Sequence, residues 1–131
     1  MASTTFTGPV TSLNGFVGAL TGNVTGNVTG NISGVTTGSV QSLSGAGAVD
    51  VTNTFTSLTT TGVSQALTLA DGSVGEVKII THTVDGGSAV LTPTTKIGFS
   101  TVTFAAVGDT VMMIYTAAGW AIIGSKGVTI A

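Results

Sequence analysis

His82 is the only histidine in the chain, and four aspartates, one glutamate and three lysines are its only charged residues. A Ser–His–Asp relay would need His82 between a serine and one of Asp50, Asp71, Asp85 or Asp109. No serine sits in a nucleophile-elbow spacing. His82 lies between Thr81 and Thr83 in a strand-like run, which reads as a structural or surface histidine. A second reading sets copies of His82 on a symmetry axis, around a metal or an anion. One ligand per chain is a weak basis for a metal site.

The other candidates resolve into local structure. Asp71-Gly72 and Asp85-Gly86-Gly87 resemble fragments of calcium loops, but a calcium loop needs several carboxylates at fixed spacing and a final Glu. Asp followed by Gly is also the preferred chemistry of tight turns. Asn23, Asn27 and Asn31 each open an Asn-x-Thr/Ser sequon, which reads as a by-product of a repeat rather than a glycan cluster. The glycines form no phosphate loop, since no Gly-Lys-Ser/Thr occurs and Lys126-Gly127 is in the reverse order. Trp120 and Tyr115 suit core packing better than a sugar-binding surface. No catalytic, cofactor-binding or metal-binding residue is assigned, and an enzyme is not expected.

What must be positioned is therefore a surface rather than a reaction centre. Residues 20–41 read LTGNVTGNVTGNISGVTTGSVQ, with glycine at every fourth position from Gly22 to Gly38. A helix fails, because each interior glycine costs about 1 kcal/mol relative to alanine. Collagen fails on its period of three. As a strand, alternation puts Leu20, Val24, Val28, Ile32 and Val40, with the glycines, on one face and Thr, Asn and Ser on the other. Such a strand cannot bury its apolar face alone. These five residues are the candidate interface.

Composition agrees. Charged residues are 6% of 131, against about 25% in ordinary domains, and none precedes Asp50. A net charge of −2 without arginine gives no cationic footprint for nucleic acid. Cysteine is absent, so no disulfide framework is available. No apolar run reaches the roughly 18 residues of a membrane helix, and no secretory signal is evident.

The spacing predicts an all-β chain: an uncharged repetitive arm over 1–49, a connector over 50–66 containing one short strand, and a small antiparallel β-sandwich or barrel over 67–131. Within the last, strands are expected over 76–84, 89–92, 101–105, 110–116, 120–123 and 128–130, separated by turn signals such as Asp85-Gly86-Gly87 and Ala117-Ala118-Gly119. Its expected core is Val77, Ile79, Leu91, Val102, Phe104, Val111, Met113, Tyr115, Trp120 and Ile122. About 65 residues make a small core without disulfides, a second reason to expect partners.

The run TGNVTGNVTGNISG (21–34) resembles Gly-Asn-Val-Thr repeats in structural proteins of tailed bacteriophages. The segments GEVKII (75–80), VDGG (84–87), LTP (91–93), VTFAAVGDTVMMIY (102–115) and GWAIIG (119–124) resemble small C-terminal β-domains of such proteins. The resemblance covers roughly 85 residues and its motifs are low in complexity. It implies a virion structural protein, commonly a homotrimer, and transfers no catalytic residue. On scale, the expectation is a trimeric capsid decoration (cement) protein on the outer head surface, bound to the major capsid protein. A short tail-fibre or receptor-binding tip that contacts a host-surface glycan is the alternative.

Overall fold

The computed structural model describes residues 37–131. They form ten strands: β1 (Val40–Ser44), β2 (Gly47–Val49), β3 (Phe55–Thr59), β4 (Gln65–Leu69), β5 (Val77–Val84), β6 (Ala89–Pro93), β7 (Val102–Phe104), β8 (Thr110–Thr116), β9 (Gly119–Lys126) and β10 (Thr129–Ile130). The expected all-β class is what is found. The six strands anticipated after residue 75 all exist, with ends shifted by a few residues at most.

The strands make two five-stranded sheets, ordered β1-β3-β5-β8-β9 and β10-β7-β6-β4-β2. Alternation explains their meeting. Leu58, Ile80, Val111, Met113 and Trp120 from the first sheet share one buried cluster with Val49, Leu67, Leu69, Ala89, Leu91, Val102 and Phe104 from the second. Tyr115 and Ile122 pack against it, partly buried.

The antiparallel sandwich expected over 67–131 holds except where β4 runs parallel to β6, and with the earlier strands both sheets are mixed. β1, β3 and β5 run parallel, as do β2, β4 and β6. The chain passes from one sheet to the other at each step from β1 to β6, so the next strand of a sheet arrives in the same direction as the last. Val40 lies beside Phe55 and Phe55 beside Ile79, so one turn takes 15 residues (55 − 40) and the next 24 (79 − 55). From β6 onward the neighbours are antiparallel, and only β8–β9 closes as a tight hairpin, on Ala117-Ala118.

Two further expectations change. Residues 50–66 hold the one short strand expected there, β3, together with the start of β4, and β1 and β2 pair within the two sheets although they fall in the range read as an arm. Their Ser/Thr-rich alternation is weakly apolar, yet it delivers Leu58, Leu67 and Val49 to the core. Asp85-Gly86-Gly87 does turn, but as a crossing between sheets, since β5 and β6 do not pair. Thr60 and Gly62 explain the tightness: a Cβ on Gly86 or Gly87 would collide with their carbonyl oxygens, and Gly87 sits at φ 142°, open to glycine alone.

Candidate functional site

His82 points inward from β5 and is fully buried. Its Nε2 lies 3.0 Å from Thr60 Oγ1. That hydroxyl has one proton, which it donates to Gly87 O at 3.2 Å, while it accepts from Gly86 N–H at 2.9 Å. In the tautomer that protonates Nε2, the histidine donates to this hydroxyl and all three bonds of Thr60 Oγ1 are made together. Its Nδ1 has no hydrogen-bond partner among the described residues. No carboxylate orients the ring, as a catalytic relay requires, and no surface exposes it to a symmetry-related copy.

Asp71 accepts from Thr95 N–H and Thr95 Oγ1, both at 3.0 Å, tying two loops together. Asp85 accepts from Gly87 N–H at 2.8 Å. Asp85 is local turn chemistry, whereas Asp71 bridges to a distant loop rather than shaping a turn of its own, and no group of three or more His, Asp or Glu converges among the described residues. Trp120 is fully buried, donates from Nε1 to Ala70 O at 2.9 Å, and meets Tyr115 edge-to-face with centroids 5.2 Å apart. It anchors the core and offers no face to a sugar.

Lys78 also points inward and is fully buried. Its ammonium donates to Asp50 O at 2.7 Å and Asn53 O at 2.6 Å. The Asp50 carboxylate in turn holds Thr52 and Asn53, and these bonds keep it below the usual carboxylate range. Burial pushes Lys78 down to about 8, against the pull of Asp50 and Glu76. Lys78 fixes the loop that leads into β3.

The reversed facing of β5 decides what lies outside. With Lys78, Ile80 and His82 inward, Val77 and Ile79 face outward and are half-buried, which corrects their expected place in the core. Strand register then lines up Val40, Phe55, Ile79 and Met112 as one row across β1, β3, β5 and β8. At a strand spacing of about 4.8 Å the row spans roughly 15 Å. Val40 is 60% exposed, Phe55 37% and Met112 37%, and Ile123 at a bulge in β9 is 55% exposed. Val77 and Ile114 stand paired beside the row. Another row on this face is polar: Ser42, Ser57, Thr81, Thr110 and Lys126.

Of the five interface candidates, Leu20, Val24, Val28 and Ile32 lie outside the described residues, and Val40 stands at the rim of this apolar row. Phe55, Met112 and Ile123 were missed. The available signal was the apolar content at both parities of TVMMIY (110–115), which a one-faced strand does not need.

Gly38 links the repeat to the face. A Cβ there would fall 2.6 Å from the Phe55 ring, so glycine lets the backbone lie directly on the aromatic. No protein-family model matches the chain, and no curated protein matches its sequence.

Proposed function

We propose that this chain is a virion structural protein: a homotrimeric capsid decoration protein that bridges capsid subunits on the outer head surface. One observation carries the reading. The uncharged repeat enters the β-domain at Gly38 and Val40, on the rim of an exposed apolar row. The β-domain thus presents apolar surface for a partner to cover. The resemblance of the repeat to phage structural proteins supplies the setting.

The mechanism is mechanical. A trimer seated where capsid subunits meet adds contact area between them and opposes outward pressure. Apolar burial contributes about 25 cal/mol per Å2, offset in part by the cost of association. The repeat is the proposed trimer contact and shell footing, with the β-domain outward and the major capsid protein beneath.

Light scattering on the purified chain tests the trimer, and a stable monomer would sink it. Imaging of labelled chain on intact particles tests the location. Many copies over the head support decoration; a few copies at the tail would replace that reading with a fibre component.

A further inference from the structure

We propose that His82 is an acid-sensitive lock: its neutral ring joins the loops at one end of the β-domain, and a proton on the ring releases them. The inference goes beyond the reading of the chain as a virion subunit and does not depend on it.

Strand direction brings three loops to His82. β3 and β5 run parallel and β8 runs against β5. The loop leaving β3 (60–64), the crossing leaving β5 (85–88) and the loop entering β8 (105–109) therefore share one end. His82 bonds to each of them or to what holds them. Its backbone N–H donates to Asp109 O and its carbonyl accepts from Gly108 N–H, both at 2.8 Å. Its Nε2 meets Thr60 Oγ1, the one hydroxyl that binds Gly86 N–H and Gly87 O. Around that hydroxyl, Thr60 N–H donates to Val84 O at 3.0 Å and Ser88 N–H to Gly62 O at 3.1 Å.

The neutral ring suits this place and the charged ring does not. A neutral imidazole donates from one nitrogen, whereas an imidazolium donates from both. Nδ1 is buried and has no partner among the described residues. Whichever nitrogen holds the proton of the neutral ring, the charged ring adds an N–H or keeps one at Nδ1 that finds no acceptor. Burying such a group, with its charge, is costly. The ring is relieved by reaching water, and in doing so it lets go of Thr60.

Few charges stand near enough to offset that cost. β3, β4, β6 and β7 carry no ionisable side chain. β8 carries only Tyr115, at its far end, and β9 carries Lys126, which is exposed and pairs with Thr110. On β5 itself, Lys78 is held by Asp50 O and Asn53 O. Of the loop carboxylates, Asp85 accepts from Gly87 N–H, and Asp109 accepts from Ala105 and Ala106 N–H. Neither takes a bond from the ring. Histidine is the ordinary side chain that changes charge between pH 5 and pH 8, and His82 is the only one in the chain.

Amide hydrogen exchange on the full-length chain at pH 7 and pH 5, corrected for the chemical exchange rate, tests the lock. The reporters are the amides of Thr60, Gly86 and Ser88. The control is Tyr115, whose N–H bonds Glu76 O at the opposite end. In the wild type, protection at the three reporters should fall about tenfold or more, within the limit of about tenfold per pH unit that one proton sets. Protection at Tyr115 should hold. His82→Gln keeps an amide able to donate to Thr60 and removes the titrating ring, so its reporters should be equally protected at both pH values. The ring signals of the single histidine, followed by NMR in the wild type, give a second readout that needs no variant. They should show protonation in step with the loss of protection.

A ring that protonates while the reporters stay protected overturns the lock. So does an equal fall in His82→Gln, or no fall in the wild type. An equal fall at Tyr115 marks unfolding of the entire β-domain and overturns a lock confined to one end.

Discussion

Lys78 and His82 show why the facing of β5 was not legible in the sequence. EVKIITHTV offers two parities, and Val77 and Ile79 are the more apolar pair beside Ile80. The chain buries the other parity because each polar group finds a partner far along the sequence: Lys78 at Asp50 and Asn53, His82 at Thr60. No local pattern records such pairings, and without them burial of an ammonium is costly. Leu91, Val102, Phe104, Val111, Met113 and Trp120 had no such competition and were read correctly. Thr60 Oγ1 serves Gly86, Gly87 and His82 at once, so Thr60→Val should lower stability by about 1–3 kcal/mol in urea unfolding. Lys78 titrates near 8 in the fold against an ordinary 10.5, chiefly through burial. The unfolded chain therefore holds more protons between those values, and stability should rise with pH across that window. Tyr115, raised by burial and by Asp71, acts in the opposite direction near and above pH 10. Urea midpoints taken from about pH 8 to about pH 9.5 should climb, and Lys78→Met should flatten the climb.

At the scale of elements, turn chemistry was legible and its destination was not. Ala117-Ala118-Gly119 joins two paired strands, as expected of a hairpin. Asp85-Gly86-Gly87 carries an equally strong turn signal but hands the chain to the other sheet, because its glycines fit beneath the Thr60–Gly62 backbone. The same loop contact fixes a prediction. Gly87→Ala faces both an unfavourable φ and a collision with Gly62, and should destabilise the fold by more than about 1 kcal/mol. Alanine at Gly124, where an added Cβ meets nothing within 4 Å and φ is not positive, should be nearly neutral by the same measurement. The strands of 40–69 were underread for a related reason. Parallel neighbours 15 to 24 positions apart leave no hairpin signature, and Ser, Thr and Gly on the outward parity blur the alternation that does exist.

For the whole molecule, the all-β class was legible from the glycine period, the β-branched content and the turn spacing, whereas the mixed sheets were not. The candidate surface was legible in part. Val40 was identified from the repeat, but its neighbours Phe55, Ile79 and Met112 come from three other strands and are collected only by folding. If copies associate as proposed, stability depends on protein concentration. The thermal midpoint of the full chain should then rise on concentrating the sample. The alternating passage between sheets has one more consequence. Each complete turn from β1 to β6 adds one strand to both sheets and returns the chain to its starting side. The height of the body can therefore change only in whole steps. An insertion of one turn keeps every inward residue inward and lengthens the outer row by one strand, while a fragment of a turn breaks both. The fold is in this sense a counted stack, whose reach is set by the number of turns and not by the length of any strand.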